Sequence, residues 1–454
     1  MSKDSLAGKK VLVMGLGRFG GGVDSAKYAA EAGAKVTVTD TAGADKLAKA
    51  VNELDGLGIV FHLGGHIEND FADADVVIAN PAVPPENEYL QLARRAGAVV
   101  TSAMNIFLRK CPARVVGITG ANGKSTTTAL TAHILEKGRQ QQDTDYPRVW
   151  LSGNIGARPL LGILDKIDPD DIVVLEISSF QSELFAHDKI STYIALLTNL
   201  TPNHLDRHGT FENYCAAKQN LFKYQKPSHR SKPVSIFNKD DKIAQQWYDL
   251  YQKDADRICL KFSADDVENV TRDTFTLAGK ANLSNLAAAI TVARHLGLNI
   301  ETIRRTLTDF KPLPHRLELV SEKNGVRWYN DSISTTPDST IAALDAFEQP
   351  KIIIAGGYDK QMPFDTLGRE IAAKAKAAVL IGATKNKIAQ AINNNPNPRA
   401  AVMLAESLEE AVRQAGEEAR PGDVVILSPA CASYDMFDNF QQRGSDFTRL
   451  AREL

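Results

Sequence analysis

The sequence predicts an α/β protein of three domains, each built on a mainly parallel sheet. Three observations carry this reading. Short aliphatic runs ending in glycine turns recur along the chain, at residues 10–14 before Gly15, 115–118 before Gly120 and 351–355 before Gly356. Helix-like stretches alternate with them, the pattern of β-α-β crossovers. The 454 residues also exceed what one hydrophobic core supports and suggest about three domains.

Composition narrows the class. Hydrophobic residues make up 43% and charged residues 24%, ordinary values for a globular chain. A formal charge of -2 argues against a nucleic-acid partner bound through a strongly basic surface. The four cysteines, Cys111, Cys215, Cys259 and Cys431, form no C-x-x-C pair, so reduced thiols are expected rather than a zinc ribbon or a disulfide framework. Residues 1–10 are polar and run straight into a strand, and no apolar run approaches the roughly 20 residues of a membrane span. A cytoplasmic monomer without a membrane span or signal peptide is the expectation.

The first domain, residues 1–103, opens with strand 10–14 and the turn Gly15-Leu16-Gly17-Arg18-Phe19-Gly20. A helix over 26–32 follows, then strand 35–39 ending at Asp40, and strand 75–79 broken by Asn80-Pro81. The second domain, 104–312, contains strands 115–118, 171–176 and 193–197, an alanine-rich helix over 283–296 and a shorter one around 301–308. Polar stretches 138–148 and 223–232 read as surface loops. Pro312 and Pro314 mark a linker into the third domain, 313–454, with strands 351–355, 378–381 and 423–427.

The densest chemistry lies in Thr119-Gly120-Ala121-Asn122-Gly123-Lys124-Ser125-Thr126, a glycine turn between a strand and a helix. Glycines let backbone N–H groups converge on phosphate oxygens at a helix N-terminus. Lys124 adds a point charge for terminal phosphates, and the hydroxyl of Ser125 or Thr126 can ligate Mg2+. The common Gly-x-x-x-x-Gly-Lys-Ser/Thr template wants glycine at 118 and finds Ile118, so this is a variant phosphate loop. A bare turn would need neither the lysine nor the paired hydroxyls.

Other positions are more open. Gly15-x-Gly17-x-x-Gly20 with Asp40 downstream fits a Rossmann-like pyrophosphate site for NAD or a sugar nucleotide, and fits equally a tight turn with no ligand. Glu176, at the tip of a buried strand, is either a Mg2+ ligand or a cap for the next helix. His204 and His208 are four apart, but no glutamate lies between them as in zinc helices, so His204 is assigned to a Mg2+–nucleotide site and His208 to solvent. Lys218 falls on the apolar stripe Phe211, Tyr214, Cys215, Leu221 and Phe222. It either snorkels to water or has a depressed pKa and takes up CO2 as a Mg2+-binding carbamate. Asp331, Ser332, Lys360 and Ser433 lie at strand-to-loop edges suited to a second substrate.

Taken together, G-I-T-G-A-N-G-K-S-T-T, S-G-N-I-G at 152–156, L-E-I-S-S-F-Q at 175–181, N-H-L-D-R-H at 203–208, L-P-H-R-L-E at 313–318, N-D-S at 330–332 and S-P-A-C-A-S-Y-D-x-F-x-x-F-x-x-R-G at 428–444 resemble the ATP-dependent muramoyl amino-acid ligases of peptidoglycan synthesis. The resemblance spans the whole chain and is strongest to the D-glutamate-adding branch; the D-N-P-R motif of the diamino-acid branch is absent. It implies a Rossmann-like UDP-sugar domain, a central P-loop-type ATPase domain and a Rossmann-like C-terminal domain that binds D-glutamate and closes on ATP. It further implies activation of a UDP-muramoyl-L-alanine carboxylate as an acyl phosphate, with D-glutamate as the attacking amine.

The same resemblance assigns roles. Gly120, Asn122, Gly123, Lys124, Ser125, Thr126, Asn282, Asn285, Arg316 and Asp331 would bind ATP. Ser125, Glu176, His204 and carbamylated Lys218 would bind Mg2+, and Lys124, Glu176, His204 and Lys218 form the catalytic set. Arg18, Phe19, Asp40, Thr41, Asn154, Ser178 and Gln181 would hold the UDP-sugar, and Thr335, Lys360, Ser433 and Phe440 the D-glutamate. Family members commonly carry lysine two residues after the aspartate of N-D-S; this chain has Ile333. A cation near the phosphate or the D-glutamate carboxylates is therefore absent or comes from elsewhere. Folylpolyglutamate synthases share the ATP domain but lack a first nucleotide-binding domain, and an NAD oxidoreductase would leave the central phosphate loop unexplained.

Overall fold

The computed structural model describes the chain apart from residues 1–5, 18–19, 143, 156–158, 228–230, 268–274, 276, 278 and 312 and the side chain of Asp206. Among the described residues the strands form three sheets. In the first, β1 (Lys10–Met14), β2 (Lys35–Asp40), β3 (Val60–Leu63), β4 (Val76–Ala79) and β5 (Val99–Thr101) are parallel in the order β3-β2-β1-β4-β5. The order reverses between β1 and β4, and the glycine turn leaves the carboxyl end of β1 there. Open α/β sheets bind ligands at such a switch point.

The second sheet contains β6 (Arg114–Thr119), β7 (Val149–Gly153), β8 (Ile172–Glu176), β9 (Ile194–Leu197), β10 (Val234–Asn238) and β11 (Ile258–Phe262). Its order is β11-β10-β9-β6-β8-β7, again parallel. Central strands β8 and β9 are buried at every position, which is why they read as unbroken aliphatic runs. Their neighbour β6 places the phosphate loop between the exits of β8 and β9.

The third sheet holds β12 (Glu318–Lys323), β13 (Val326–Asn330), β14 (Lys351–Gly356), β15 (Ala377–Ile381), β16 (Ala401–Leu404) and β17 (Val424–Leu427), ordered β12-β13-β17-β14-β15-β16. Only the β12–β13 pair is antiparallel among the described residues. Asn324 and Gly325 join those two strands with positive φ of 54° and 74°, the geometry of a two-residue hairpin turn. Alternate residues of β14 feed opposite cores: Ile352 and Ile354 pack with Val425 and Phe447, Ile353 and Ala355 with Leu367 and Leu380.

The chain divides into two compact units, Met1–Thr274 with Ser284–Thr308, and Phe275–Leu283 with Asp309–Leu454. The first unit joins two sheets because one apolar core runs through both: Val23, Ala26 and Tyr28 of the first layer pack in the same cluster as Met104, Phe107, Leu161 and Leu164. Two sequence readings need correction. The stretch starting at Gly138 is not all loop, since the helix that begins at Lys124 continues to Gln141. Gly138 lets that helix approach Leu298 closely, since a Cβ would stand 2.4 Å from Leu298 Cδ1 and push its side chain aside. The first helix also begins earlier than expected, spanning Gly21–Glu31. No helix among the described residues is long and apolar enough to cross a membrane.

Candidate active site

The phosphate loop leaves β6 at Thr119 and enters helix Lys124–Gln141 through Gly123, which has φ of 80°. A Cβ on Gly123 would lie 2.2 Å from Asn285 Oδ1, so only glycine permits this approach. Asn285 is buried in helix Lys280–His295, and its Oδ1 accepts from Thr127 Oγ1 at 3.2 Å. On the other side the exit of β9 braces the loop. Asn199 Oδ1 accepts from Asn122 N at 2.9 Å, Asn199 O accepts from Ala121 N at 2.8 Å, and Thr198 Oγ1 donates to Asn122 O at 2.7 Å. Sequence reasoning assigned no role to Thr198 or Asn199; their one signal was polarity directly after a buried strand. Lys124 is half-buried, and its Nζ donates to Ala121 O at 2.7 Å. Ser125 is half-buried beside it and Thr126 buried.

Glu176 ends β8 at 2% exposure. Its Oε1 accepts from Asn154 Nδ2 at 2.8 Å, while Oε2 is buried with no hydrogen-bond partner among the described residues. It does not cap the following helix: Ser178 does, in a capping box with Gln181, whose amide oxygen accepts from Ser178 N at 2.9 Å. Lys218 lies on helix Phe211–Lys223 at 1% exposure, which removes the snorkelling alternative. Its Nζ donates to Thr119 Oγ1 at 3.3 Å and stands 4.8 Å from the Tyr214 ring centroid. Burial, reinforced by the Lys124 charge, holds its pKa well below the usual lysine value, while Glu176 pulls the other way. Lys124, Glu176 and Lys218 are thus brought within electrostatic reach of one another.

One of the two histidines departs from the expectation. His208 is not solvated: it is 7% exposed, its Nε2 lies 3.0 Å from Ser179 Oγ, and the Phe180 and Tyr214 rings flank it. His204 is exposed and left-handed, with φ of 53°, its ring 5.0 Å from that of Phe180.

At the first sheet Asp40 organises the glycine turn. Oδ2 accepts from Gly17 N at 3.1 Å and Oδ1 from Ala42 N at 2.9 Å, and Thr41 beside it is exposed. The close-packing glycine is Gly22, where a Cβ would stand 2.3 Å from Leu16 O; Gly20 has open space. Arg18 and Phe19 lie outside the described residues.

In the second unit, Asp331 follows β13 and is buried at 3% exposure. It accepts from Ser428 Oγ at 2.7 Å and Leu317 N at 3.2 Å. Burial outweighs these bonds and the nearby Arg316 charge, raising the carboxyl to about 6. Since the folded pKa exceeds the ordinary 3.8, the folded state holds the proton between these values and stability declines as pH rises through that window. Asp331→Asn is expected to remove a decline on the order of 3 kcal/mol, measured by urea unfolding between about pH 4 and pH 7. Arg316 is set between two left-handed residues, His315 and Leu317, at φ of 64° and 41°. Thr335 and Lys360 meet in one shallow pocket with Tyr358, Met362, Phe364, Ala430 and Cys431. Ser433 is buried and Phe440 opens the helix Phe440–Glu453; neither lines that pocket. Asn282 belongs to this unit and lies in the first turn of Lys280–His295.

A parallel sheet with a phosphate loop, a buried carboxylate and a buried lysine at one edge defines a nucleotide-dependent enzyme. Comparison with known proteins makes this specific. Residues 9–102 match the family profile "Mur ligase MurD-like, N-terminal domain", 118–293 "Mur ligase middle domain" and 315–431 "Mur ligase, glutamate ligase domain". The chain is 41% identical to a UDP-N-acetylmuramoylalanine--D-glutamate ligase of Roseiflexus sp. (strain RS-1), over 99% of each chain. A protein of the same name from Clostridium botulinum (strain Kyoto / Type A2) is 38% identical over 100% of this chain and 98% of its own. Among solved structures, the MurF ligase from Thermotoga maritima in complex with ADP shares the fold at TM-score 0.56 and 17% identity, covering 100% of this chain and 97% of that one. The chain belongs to the Mur ligase family and is an ATP-dependent ligase.

Proposed function

We propose that this ligase joins D-glutamate to UDP-N-acetylmuramoyl-L-alanine in the cytoplasm, as a step of peptidoglycan precursor synthesis, and acts as a monomer. The observation that carries the reading is the meeting of Lys124, Glu176 and Lys218 at the ends of β6 and β8, in a chain whose full-length relatives bear that name. A terminal carboxylate oxygen of the muramoyl substrate attacks the γ-phosphorus of ATP, the bond to ADP breaks, and an acyl phosphate results. The D-glutamate amine then attacks the acyl carbon, loses a proton, and phosphate departs.

The residues present fit Mg2+. Glu176 Oε2 is a buried carboxylate oxygen without a hydrogen-bond partner among the described residues, and hydroxyl and carboxylate oxygens are the donors a hard cation takes. Among the described residues no three His, Cys, Asp or Glu side chains gather, so nucleotide oxygens and a carbamate on Lys218 would complete the site with Glu176, Ser125 and His204. When bound, Mg2+ would neutralise charge on the phosphates. Lys124 moves from Ala121 O to the γ-phosphate and stabilises charge in transfer. The neutral Lys218 amine adds to CO2 and releases one proton, giving the carbamate.

The loop residues Gly120, Asn122, Gly123 and Thr126, with Asn282, Asn285, Arg316 and Asp331, bind ATP in this reading. Arg18, Phe19, Asp40, Thr41, Asn154, Ser178 and Gln181 hold the UDP-sugar, and Thr335, Lys360, Ser433 and Phe440 the D-glutamate. ADP release with UDP-N-acetylmuramoyl-L-alanine is the test, run against D-glutamate, L-glutamate, L-alanine and meso-diaminopimelate. Only D-glutamate should stimulate release and yield an amide; preference for another amine would overturn the substrate assignment. Sedimentation velocity of the active protein should show one chain.

A further inference from the structure

Helix Gly21–Glu31 starts from the glycine turn of the first sheet and carries Asp24 toward the layer of the second. The Asp24 carboxylate accepts three consecutive backbone N–H groups. Oδ2 takes Leu160 at 2.9 Å and Leu161 at 2.7 Å, and Oδ1 takes Gly162 at 3.0 Å. These amides open the short 3-10 helix Leu161–Lys166, whose first N–H groups have no partner within the helix. The partner is supplied from a residue 136 positions away in sequence.

One turn further along the same helix, Tyr28 is 3% exposed and bonds to Lys110; burial and the nearby Asp165 push its hydroxyl up to about 12. Leu161 and Leu164 already pack in one core with Val23 and Tyr28, so apolar burial alone would hold the layers together. Apolar contact is non-directional, whereas a carboxylate gripping three N–H groups sets the relative position of two segments.

The gripped segment leads toward the reacting edge. Ser152 Oγ donates to Pro159 O at 2.7 Å, tying the segment's start back to β7. The residue after β7 is Asn154, whose Nδ2 holds Glu176 Oε1. We propose that Asp24 is a positioning residue: it keeps the glycine turn that receives the nucleotide-sugar in register with the Asn154–Glu176 edge where the carboxyl group is activated. The role rests on the proposed function; the clasp itself does not.

Three variants test it, Asp24→Ala, the near-isosteric Asp24→Asn, which turns an NH2 against at least one of the three N–H groups, and Asp24→Glu. Hydrogen exchange at Leu160–Gly162 is expected to quicken by about 100-fold in Asp24→Ala. KM for UDP-N-acetylmuramoyl-L-alanine should rise by about 10-fold in the Ala and Asn variants, with KM for ATP and for D-glutamate unchanged and partial recovery in Asp24→Glu. Unchanged exchange would show that the clasp is not made in solution and end the proposal. Faster exchange with an unaltered nucleotide-sugar KM, or an equal rise in all three constants, would also overturn positioning and leave a purely structural contact. If the unaltered protein lacks ligase activity, the functional reading falls and the positioning role with it, while the exchange result still reports the clasp.

Discussion

Replacing Lys124 with alanine is expected to lower turnover by about 1,000-fold or more while shifting the thermal midpoint by no more than about 3 °C. The large kinetic term follows from where the cation stands. Lys124 is the first residue of a helix whose N-terminus faces the phosphate loop, and phosphoryl transfer is accelerated almost wholly by positioning and charge. The small stability term follows from its surroundings. Its side chain is half-buried and outside the apolar clusters, and its Nζ donates to Ala121 O, a carbonyl at the rim of the loop. Its removal also withdraws one of the influences that depress the Lys218 pKa, so the variant tests two residues at once. Lys124→Arg separates them: the charge stays, but the planar guanidinium does not replace a compact ammonium in the turn. Coupled ADP assay and calorimetry decide the matter, and near-normal turnover in Lys124→Ala would defeat the ATP assignment at this loop.

The parts of this architecture that were legible in the sequence are those in which burial is two-sided. Strands β8, β9 and β14 are buried throughout, so their residues had to be aliphatic and the runs stood out. Edge strands β3 and β16 carry partly exposed residues, with Val60 at 51% and Leu404 at 44%, and left no comparable pattern. The Asn324-Gly325 pair did signal a hairpin and went unread because β12 is mostly polar. Glu176 and Lys218 were visible because each is a charged group where an apolar run demands an explanation, and Lys124 because it closes a glycine turn at the start of a helix. His208 was misjudged because its burial depends on where helix Phe211–Lys223 brings Tyr214. Asn199 and Asp24 depend on partners 77 and 136 residues away, which no local spacing encodes.

Lys218→Ala is expected to lose about 1,000-fold in turnover and to recover part of it when acetate or another short carboxylate is supplied. The argument begins with cost. A lysine at 1% exposure, offered a hydroxyl at 3.3 Å and an aromatic face at 4.8 Å but no acidic hydrogen-bond partner among the described residues, is unfavourable as an ammonium. The folded pKa therefore lies below the unfolded one, the unfolded chain binds the extra proton, and stability rises with pH between the two values. Lys218→Met should abolish that slope and raise the urea midpoint near neutral pH, while destroying activity. A residue kept at a thermodynamic loss is one whose chemistry is used, and a neutral buried amine within electrostatic reach of Glu176 is suited to capture CO2. Two readings are separated by the rescue. If the carbamate supplies oxygen to the metal, a free carboxylate can occupy the space left by the side chain, and turnover of the unaltered enzyme should fall in CO2-depleted buffer. If Lys218 only fills the core beneath Thr119, Lys218→Met should remain active, carboxylates should do nothing, and the dependence on CO2 should be absent.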